Sequence, residues 1–306
     1  MKAIFYLNFK SIIPRKHNIM KTNIISSMLV CVAFSSCISV NAQKTIVPSK
    51  NYITQKVKVE AFDGILAATS IDVVYTQADH TDIEVYAPDN LMEYVKVEND
   101  GKMLKIHFDT QRMGNRTNIR GKHNTKVSIS APAVHTLHTS SSGDILLMNG
   151  LNTDGEVSIQ ASSAGEIKGS DVSCGELVVE ASSAGDIELK NVVCSTLKVE
   201  ASSAGDIEIE ALEAKKVVAE ASSSGDVSLD GACRLANLES SSAGDIDADG
   251  LKAQEVVAVA SSGGDVSCHA VESLEATTSS GGYVCYKGNP KQIINHTKYK
   301  GLKKID

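Results

Sequence analysis

Between residues 141 and 285, apolar side chains fall at every second position in short runs, and the runs return about every twenty residues. Asp186-Ile187-Glu188-Leu189 places Ile and Leu on one side and acids on the other, and Asp206-Ile207-Glu208-Ile209 and Asp226-Val227-Ser228-Leu229 repeat the alternation. A period of two is the pattern of a strand with one buried face. A second run precedes each serine-rich stretch, as in Leu177-Val178-Val179-Glu180-Ala181 and Leu197-Lys198-Val199-Glu200-Ala201. A third, shorter side fits around Val172 to Cys174 and Val192 to Cys194.

One glycine marks each unit: Gly143, Gly165, Gly185, Gly205, Gly225, Gly244, Gly264 and Gly282, at intervals of 22, 20, 20, 20, 19, 20 and 18 residues. A unit this short cannot bury its own apolar face, so successive units must stack as coils, each paired in parallel with the next. The predicted fold is all-β, a parallel β-helix-like solenoid with coils of about 20 residues. Neighbouring coils then lie about 4.8 Å apart, with equivalent side chains in columns. One inward column reads Ile145, Ile167, Ile187, Ile207, Val227, Ile246, Val266 and Val284. A column of small residues reads Cys174, Cys194, Ala214, Cys233, Ala253 and Val271. The serine-rich stretch ending in the marker is the expected corner, its glycine supplying a positive φ and its Ser and Asp side chains bonding nearby N–H groups.

Composition adds what fills the core. The 306 residues are 42% hydrophobic but only 4% aromatic, without tryptophan, so small and β-branched side chains have to do it. Of seven cysteines, Cys174, Cys194, Cys233, Cys268 and Cys285 fall in the repeat, an odd number with no Cys-x-x-Cys pair. That spacing indicates neither a zinc site nor a disulfide framework, and stacked thiols pointing in parallel suit a Cys174–Cys194 bond poorly. Cys268 falls inward and Cys285 outward, which makes Cys285 the thiol best placed to react.

Residues 1–42 read as a signal or targeting region. Met20-Lys21-Thr22-Asn23 leads into an apolar run from Ile24 to Val40, and Val40-Asn41-Ala42-Gln43 offers a small-x-small site for cleavage after Ala42. The run is short and interrupted by serine for a membrane span. Cys37 is the alternative, as the acceptor of a lipid anchor; retention as an uncleaved anchor is a third outcome. Each exports the protein to the periplasm, outer membrane or cell surface.

Charge then narrows the partners. The chain carries a formal −7, but residues 141–285 hold 25 acids against 7 Lys or Arg, a net of −18, which disfavours nucleic acid. An acid follows seven of the eight glycines: Asp144, Glu166, Asp186, Asp206, Asp226, Asp245 and Asp265, with Tyr283 in the last unit. A second outward row holds Glu180, Glu200, Glu220 and Glu239. Like charges about 5 Å apart repel, so such rows need hydrogen bonds, counter-ions or splayed side chains. Calcium is the metal the first row could collect, although the nine-residue period of calcium-binding β-rolls is not matched. No other cofactor is indicated. The serines recur with no histidine at a fixed offset, His135, His138 and His269 read as surface residues, and repetition makes no acid pair distinctive, so no catalytic residue is assigned.

Residues 50–140 lack the marker but remain β-like, with candidate strands at 71–75, 82–86, 104–108 and 126–129. Residues 110–126 read as a mobile loop carrying the basic cluster Arg112, Arg116, Arg120, Lys122 and Lys126. Phe62-Asp63-Gly64-Ile65, Ile71-Asp72-Val73-Val74-Tyr75-Thr76-Gln77, Leu104-Lys105-Ile106, Ala131-Pro132 and the Ser-Ser-Gly-Asp-Ile repeats resemble the putative autotransporter adhesin head domain family of exported Bacteroidetes proteins. The resemblance spans approximately residues 55–290, and Tyr286-Lys287-Gly288-Asn289-Pro290 is similar to the family's usual close. It implies a right-handed β-helix-like solenoid and export to the envelope, and brings no catalytic residues.

The predicted organisation is a targeting region (1–42), a linker (43–54), an N-terminal β segment that begins or caps the solenoid (55–140), the repeat (141–286) and a lysine-rich cap or tail (287–306). The predicted function is a non-catalytic binding or adhesion module for an envelope or extracellular protein or glycan. The alternatives are a structural envelope protein without a ligand and a carbohydrate-active enzyme on a β-helix scaffold. Open solenoid ends leave room for oligomers.

Overall fold

The computed structural model describes residues 44–114, 117–297 and 300–306. The targeting region, with Cys37 and the cleavage site at Ala42, lies outside the described residues, as does Arg116. The stretch expected as a linker contains strands, β1 (Lys44–Ile46) and β2 (Tyr52–Lys56). The first two sides of a coil follow as β3 (Gly64–Ala67) and β4 (Asp72–Gln77).

There the chain leaves the coil. It passes through β5 (Asp82–Pro88), the one-turn helix α1 (Asp89–Met92), β6 (Val95–Asp100), β7 (Met103–Phe108), a second short helix α2 (Thr110–Met113), β8 (Thr117–Ile119) and β9 (Lys126–Ala131). β7 and β9 pair in parallel with β3 and β4, while β5 runs antiparallel to β9 and β2, and β6 antiparallel to β7. This folded-back layer covers a parallel edge that would otherwise be open to another chain. Where it is described, the segment expected as a mobile loop holds regular elements: the Asp109 carboxylate accepts a hydrogen bond from the Arg112 N–H at 2.9 Å to start α2, and β8 pairs with β1.

β10 (Thr136–Thr139) and β11 (Asp144–Leu147) add to the other edges of β3 and β4. After β12 (Leu151–Asn152) and β13 (Glu156–Ser162) come the long strands β14 (Glu166–Ser182), β15 (Asp186–Ser202), β16 (Asp206–Ser222), β17 (Asp226–Ser241), β18 (Asp245–Ala260) and β19 (Asp265–Thr278). Each long strand is most of a coil. The β14–β15 ladder lapses at residues 191 and 195, which divides the coil into sides 186–190, 192–194 and 196–202. Two strands and a short third side, as the alternation predicts, are what the chain forms.

The register aligns Ile167, Ile187, Ile207, Val227, Ile246, Val266 and Val284, and Ile145 joins the same column below them. All eight are at most 2% exposed. Buried side chains of this size each contribute about 1.5–3 kcal/mol, so stacking rather than any single contact holds the coils. The small-residue column departs from expectation at its end: Ala270, not Val271, pairs with Ala253, and Val271 is 38% exposed. The last interval is two residues short, and the β18–β19 ladder slips between Ala248 and Lys252 and between Ala253 and Glu255.

The five repeat cysteines are free thiols. Cys194, Cys233 and Cys268 are buried, and Cys174 and Cys285 half-buried. Burial pushes Cys174 and Cys233 up to about 11 and Cys194 and Cys268 up to about 12, which keeps these four protonated and unreactive. The tail adds strands of a further coil: β20 (Tyr283–Lys287) and β21 (Gln292–Asn295) pair with β19, and β22 (Leu302–Lys304) pairs with β20.

Candidate functional site

The acid row is built at the serine-rich corner. Ser183 and Ala184 have φ of 52° and 62°, and the Gly185 N–H donates to the Ser182 carbonyl at 2.9 Å, as in a type I′ turn. The same pair of left-handed residues recurs at Ser163–Ala164, Ser203–Ala204, Ser223–Ser224 and Ser242–Ala243. The marker glycine is not among the residues with positive φ, so the expected role for it is corrected. Close approach demands it instead. A Cβ on Gly185 would overlap the carbonyl of Ala161 in the coil beneath, and one on Gly244 would lie 2.6 Å from the carbonyl carbon of Ala221. The ladder then continues through the corner, with Asp206 N–H donating to the Gly185 carbonyl at 2.9 Å.

Each predicted acid leaves the corner on the outward side. The register brings Asp144, Glu166, Asp186, Asp206, Asp226, Asp245 and Asp265 into one row, which ends against Tyr283. The structure adds a member that the sequence reading missed. β4 pairs with β11 so that Val73 faces Ile145, which places Asp72 next to Asp144. Its signal was present as Thr69-Ser70-Ile71-Asp72-Val73, with the positive-φ pair at Thr69 and Ser70 but without a glycine.

Partial burial at the corner raises the carboxyl groups of Asp72, Asp144, Asp186, Asp206 and Asp245 above their ordinary range, and the adjacent acid in the row adds to the effect. Two lysines relieve the first coils. Lys168 bridges Glu166 at 3.0 Å and Glu188 at 3.1 Å, and Lys190 bridges Glu188 at 3.2 Å and Glu210 at 3.5 Å. Those hydrogen bonds hold Glu188 below the usual carboxylate range. Further along, no ion pair reaches Asp206, Glu208, Asp226, Asp230, Asp245, Asp247 or Asp265 among the described residues, and Lys287 pairs with Asp249 at 2.8 Å near the end. The result is a negative face across four coils, roughly 15 Å of solenoid at the usual strand spacing.

The second row, Glu180, Glu200, Glu220 and Glu239, is also in register, and Gln160 donates to Glu180 at 2.9 Å. Rows present one carboxylate per coil. Among the described residues, no three His, Cys, Asp or Glu side chains converge as metal ligands. His138 and His269 are half-buried, and burial pushes His138 down. His135 is tied to Asp63 and Thr153 by hydrogen bonds instead of standing free on the surface.

The model of the family described as "Putative auto-transporter adhesin, head GIN domain" matches residues 61–192 and 189–290. Among solved structures, a putative adhesin from Bacteroides fragilis is 27% identical with a TM-score of 0.50, and the match covers 85% of this chain and 100% of that one. A putative adhesin from Parabacteroides merdae (19% identity, TM-score 0.60) shares the fold over 86% of this chain and 100% of its own. So does a putative lipid binding protein from Parabacteroides distasonis, at 22% identity and a TM-score of 0.55 over the same shares. No curated protein matches the chain.

Proposed function

Because the chain belongs to the auto-transporter adhesin head GIN domain family, we propose that it is an exported binding module that holds a protein or glycan partner at the cell envelope through the outward face of its coils. The observation that carries this reading is the face from Asp206 to Asp265. Its row of Asp206, Asp226, Asp245 and Asp265 is in register, and among the described residues no ion pair reaches these acids, Lys287 pairing with Asp249 near the end of the face. A surface so arranged attracts a partner of opposite charge, speeds encounter and sets orientation. Its groups repeat from coil to coil, which suits multivalent contact and leaves this face non-catalytic. Export proceeds through residues 1–42, with cleavage after Ala42 or lipid attachment at Cys37.

The test is surface labelling of intact cells, followed by pull-down against envelope fractions and glycans. The wild-type chain should label at the surface, and a variant combining Asp206→Asn, Glu208→Gln, Asp226→Asn and Asp245→Asn should capture less. Failure to label at the surface would sink adhesion. Labelling without capture would leave a structural envelope component.

A further inference from the structure

The repeat ends at one place where chemistry does not repeat. Asp63, His135 and Thr153 occupy the corner that leads into β3, β10 and β13, three strands stacked side by side. His135 Nδ1 lies 2.6 Å from Asp63 Oδ1, and His135 Nε2 lies 3.2 Å from Thr153 Oγ1. An ionised carboxylate only accepts hydrogen bonds. In the neutral imidazole the proton therefore sits on Nδ1 and is donated to Asp63, which leaves Nε2 to accept the Thr153 hydroxyl proton.

Acid, imidazole and hydroxyl in this order and at these distances are the arrangement that activates an oxygen nucleophile. We propose that Asp63, His135 and Thr153 form a hydrolytic centre for short-chain acyl esters of neutral polar alcohols. Three surroundings support it. The His135 and Asp63 side chains are 40% and 47% exposed, so a substrate can reach them. Gly155 leaves the imidazole its room, since a Cβ there would stand 3.1 Å from His135 Nε2, and its N–H donates to Thr153 Oγ1 at 3.4 Å, which helps to fix the hydroxyl beside the imidazole. An open groove of about 600 Å³ on the short side of the coil is lined by Gln77, Asp79, Asn149 and Asn152, the last of which directly precedes Thr153 in the chain. Its amides are pinned: Gln77 accepts from the Asn152 N–H at 2.7 Å and donates to the Asn152 carbonyl at 2.9 Å. Such a groove suits a hydroxyl-rich leaving group, and Asp79, Asp154 and Glu156 repel anionic substrates.

The step balances without any group beyond water. Thr153 Oγ1 attacks the ester carbonyl carbon as its proton passes to His135 Nε2. The C–O bond to the alcohol breaks, and the leaving oxygen takes that proton. Water, deprotonated by the same nitrogen, then cleaves the Thr153 ester, releases the carboxylic acid and restores the hydroxyl. Thr153 and His135 are the catalytic residues, and Asp63 is a positioning residue that fixes the tautomer.

The experiment uses the full chain with p-nitrophenyl acetate as substrate and a fluorophosphonate as the covalent probe, with melting midpoints measured for every variant. The probe should map to Thr153, and Thr153→Ala and His135→Ala should each lower hydrolysis by at least about 100-fold. Thr153→Ser should still take the label at residue 153, because it keeps a hydroxyl nucleophile, and Asp63→Asn should slow hydrolysis and alter the pH–rate profile. Absence of label in both the wild type and Thr153→Ser would overturn the proposal. So would Thr153→Ala hydrolysing as fast as the wild type with a lowered midpoint, which would make the three side chains a clasp between coils.

Discussion

The chain turns the same corner at residues 69–72 and at residues 183–186, with different residues at the decisive place. Thr69 and Ser70 (φ 60° and 57°) lead into Ile71, which is fully buried, whereas Ser183 and Ala184 (φ 52° and 62°) lead into Gly185. What differs is the layer beneath. Under Gly185 runs another corner, Ala161 and Ser162, within overlap distance of any Cβ. Under Ile71 no such corner passes among the described residues, because β7 and β9 are joined by way of α2 and β8. Gly143 is intermediate, where a Cβ would meet the Ile71 carbonyl at 3.2 Å. The turn is thus made by the two residues before the marker, and the glycine exists to let one coil lie on the next.

The largest predicted effect contrasts a coil covered on both sides with the last one. Leu197 and Ile293 belong to one inward column, but Leu197 is fully buried and Ile293 is 43% exposed. Leu197→Ala should cost about 3 kcal/mol in urea unfolding, and Ile293→Ala less than about 1 kcal/mol. Equal losses would mean that the end coil is covered in solution.

A smaller effect tests the turn pair in both regions. Ala204 and Ser70 have φ of 61° and 57°. Glycine at either site relieves roughly 1–2 kcal/mol of left-handed strain and adds roughly 0.5–1 kcal/mol of unfolded-state entropy. Ala204→Gly and Ser70→Gly should therefore each stabilise by about 0.5 kcal/mol, by denaturant midpoint. A gain in only one of them would break the equivalence of the two corners.

The smallest concerns the acid row. Asp206 holds its proton to higher pH in the fold than in the unfolded chain, because of partial burial and the neighbouring Asp226. The folded state binds more protons in that window, so stability falls as pH rises from the ordinary value of 3.8 through the raised one, and the loss persists at pH 7. Asp206→Asn should raise stability at pH 7 by a few tenths of a kcal/mol, with the gain gone below the ordinary carboxylate range. Sodium chloride should give the wild type a similar benefit by screening. A calcium-induced rise in melting midpoint well beyond that of matched salt would turn the row into a cation site.

Alternation and the marker interval made the long coils legible, because each inward position is tested by its neighbours above and below. The same counting slipped at Val271, where a short unit and two ladder shifts moved Ala270 into the column. The end layer was harder to read. Its strands pair with partners far away in sequence, as β9 does with β4, and β8 pairs with β1 through a segment whose basic composition suggests a loop. Asp72 escaped because its corner lacks the glycine, for the steric reason above. Asp63, His135 and Thr153 escaped because an arrangement spread over 90 residues has no spacing to recognise until the coils are stacked.

The most direct test of the account compares two glycines at the serine-rich corners. Gly205 has its Cβ position filled by the Ala181 carbonyl, whereas Gly263 has φ +75° and nothing within 4 Å. Gly205→Ala must push adjacent coils apart and should lower unfolding stability by about 3 kcal/mol. Gly263→Ala meets only backbone strain and should cost about 1 kcal/mol. Paired urea midpoints with the Gly205 variant clearly the less stable are the predicted result; equal losses, or a larger loss at Gly263, would contradict the claim that the repeated glycine is there for coil-to-coil approach.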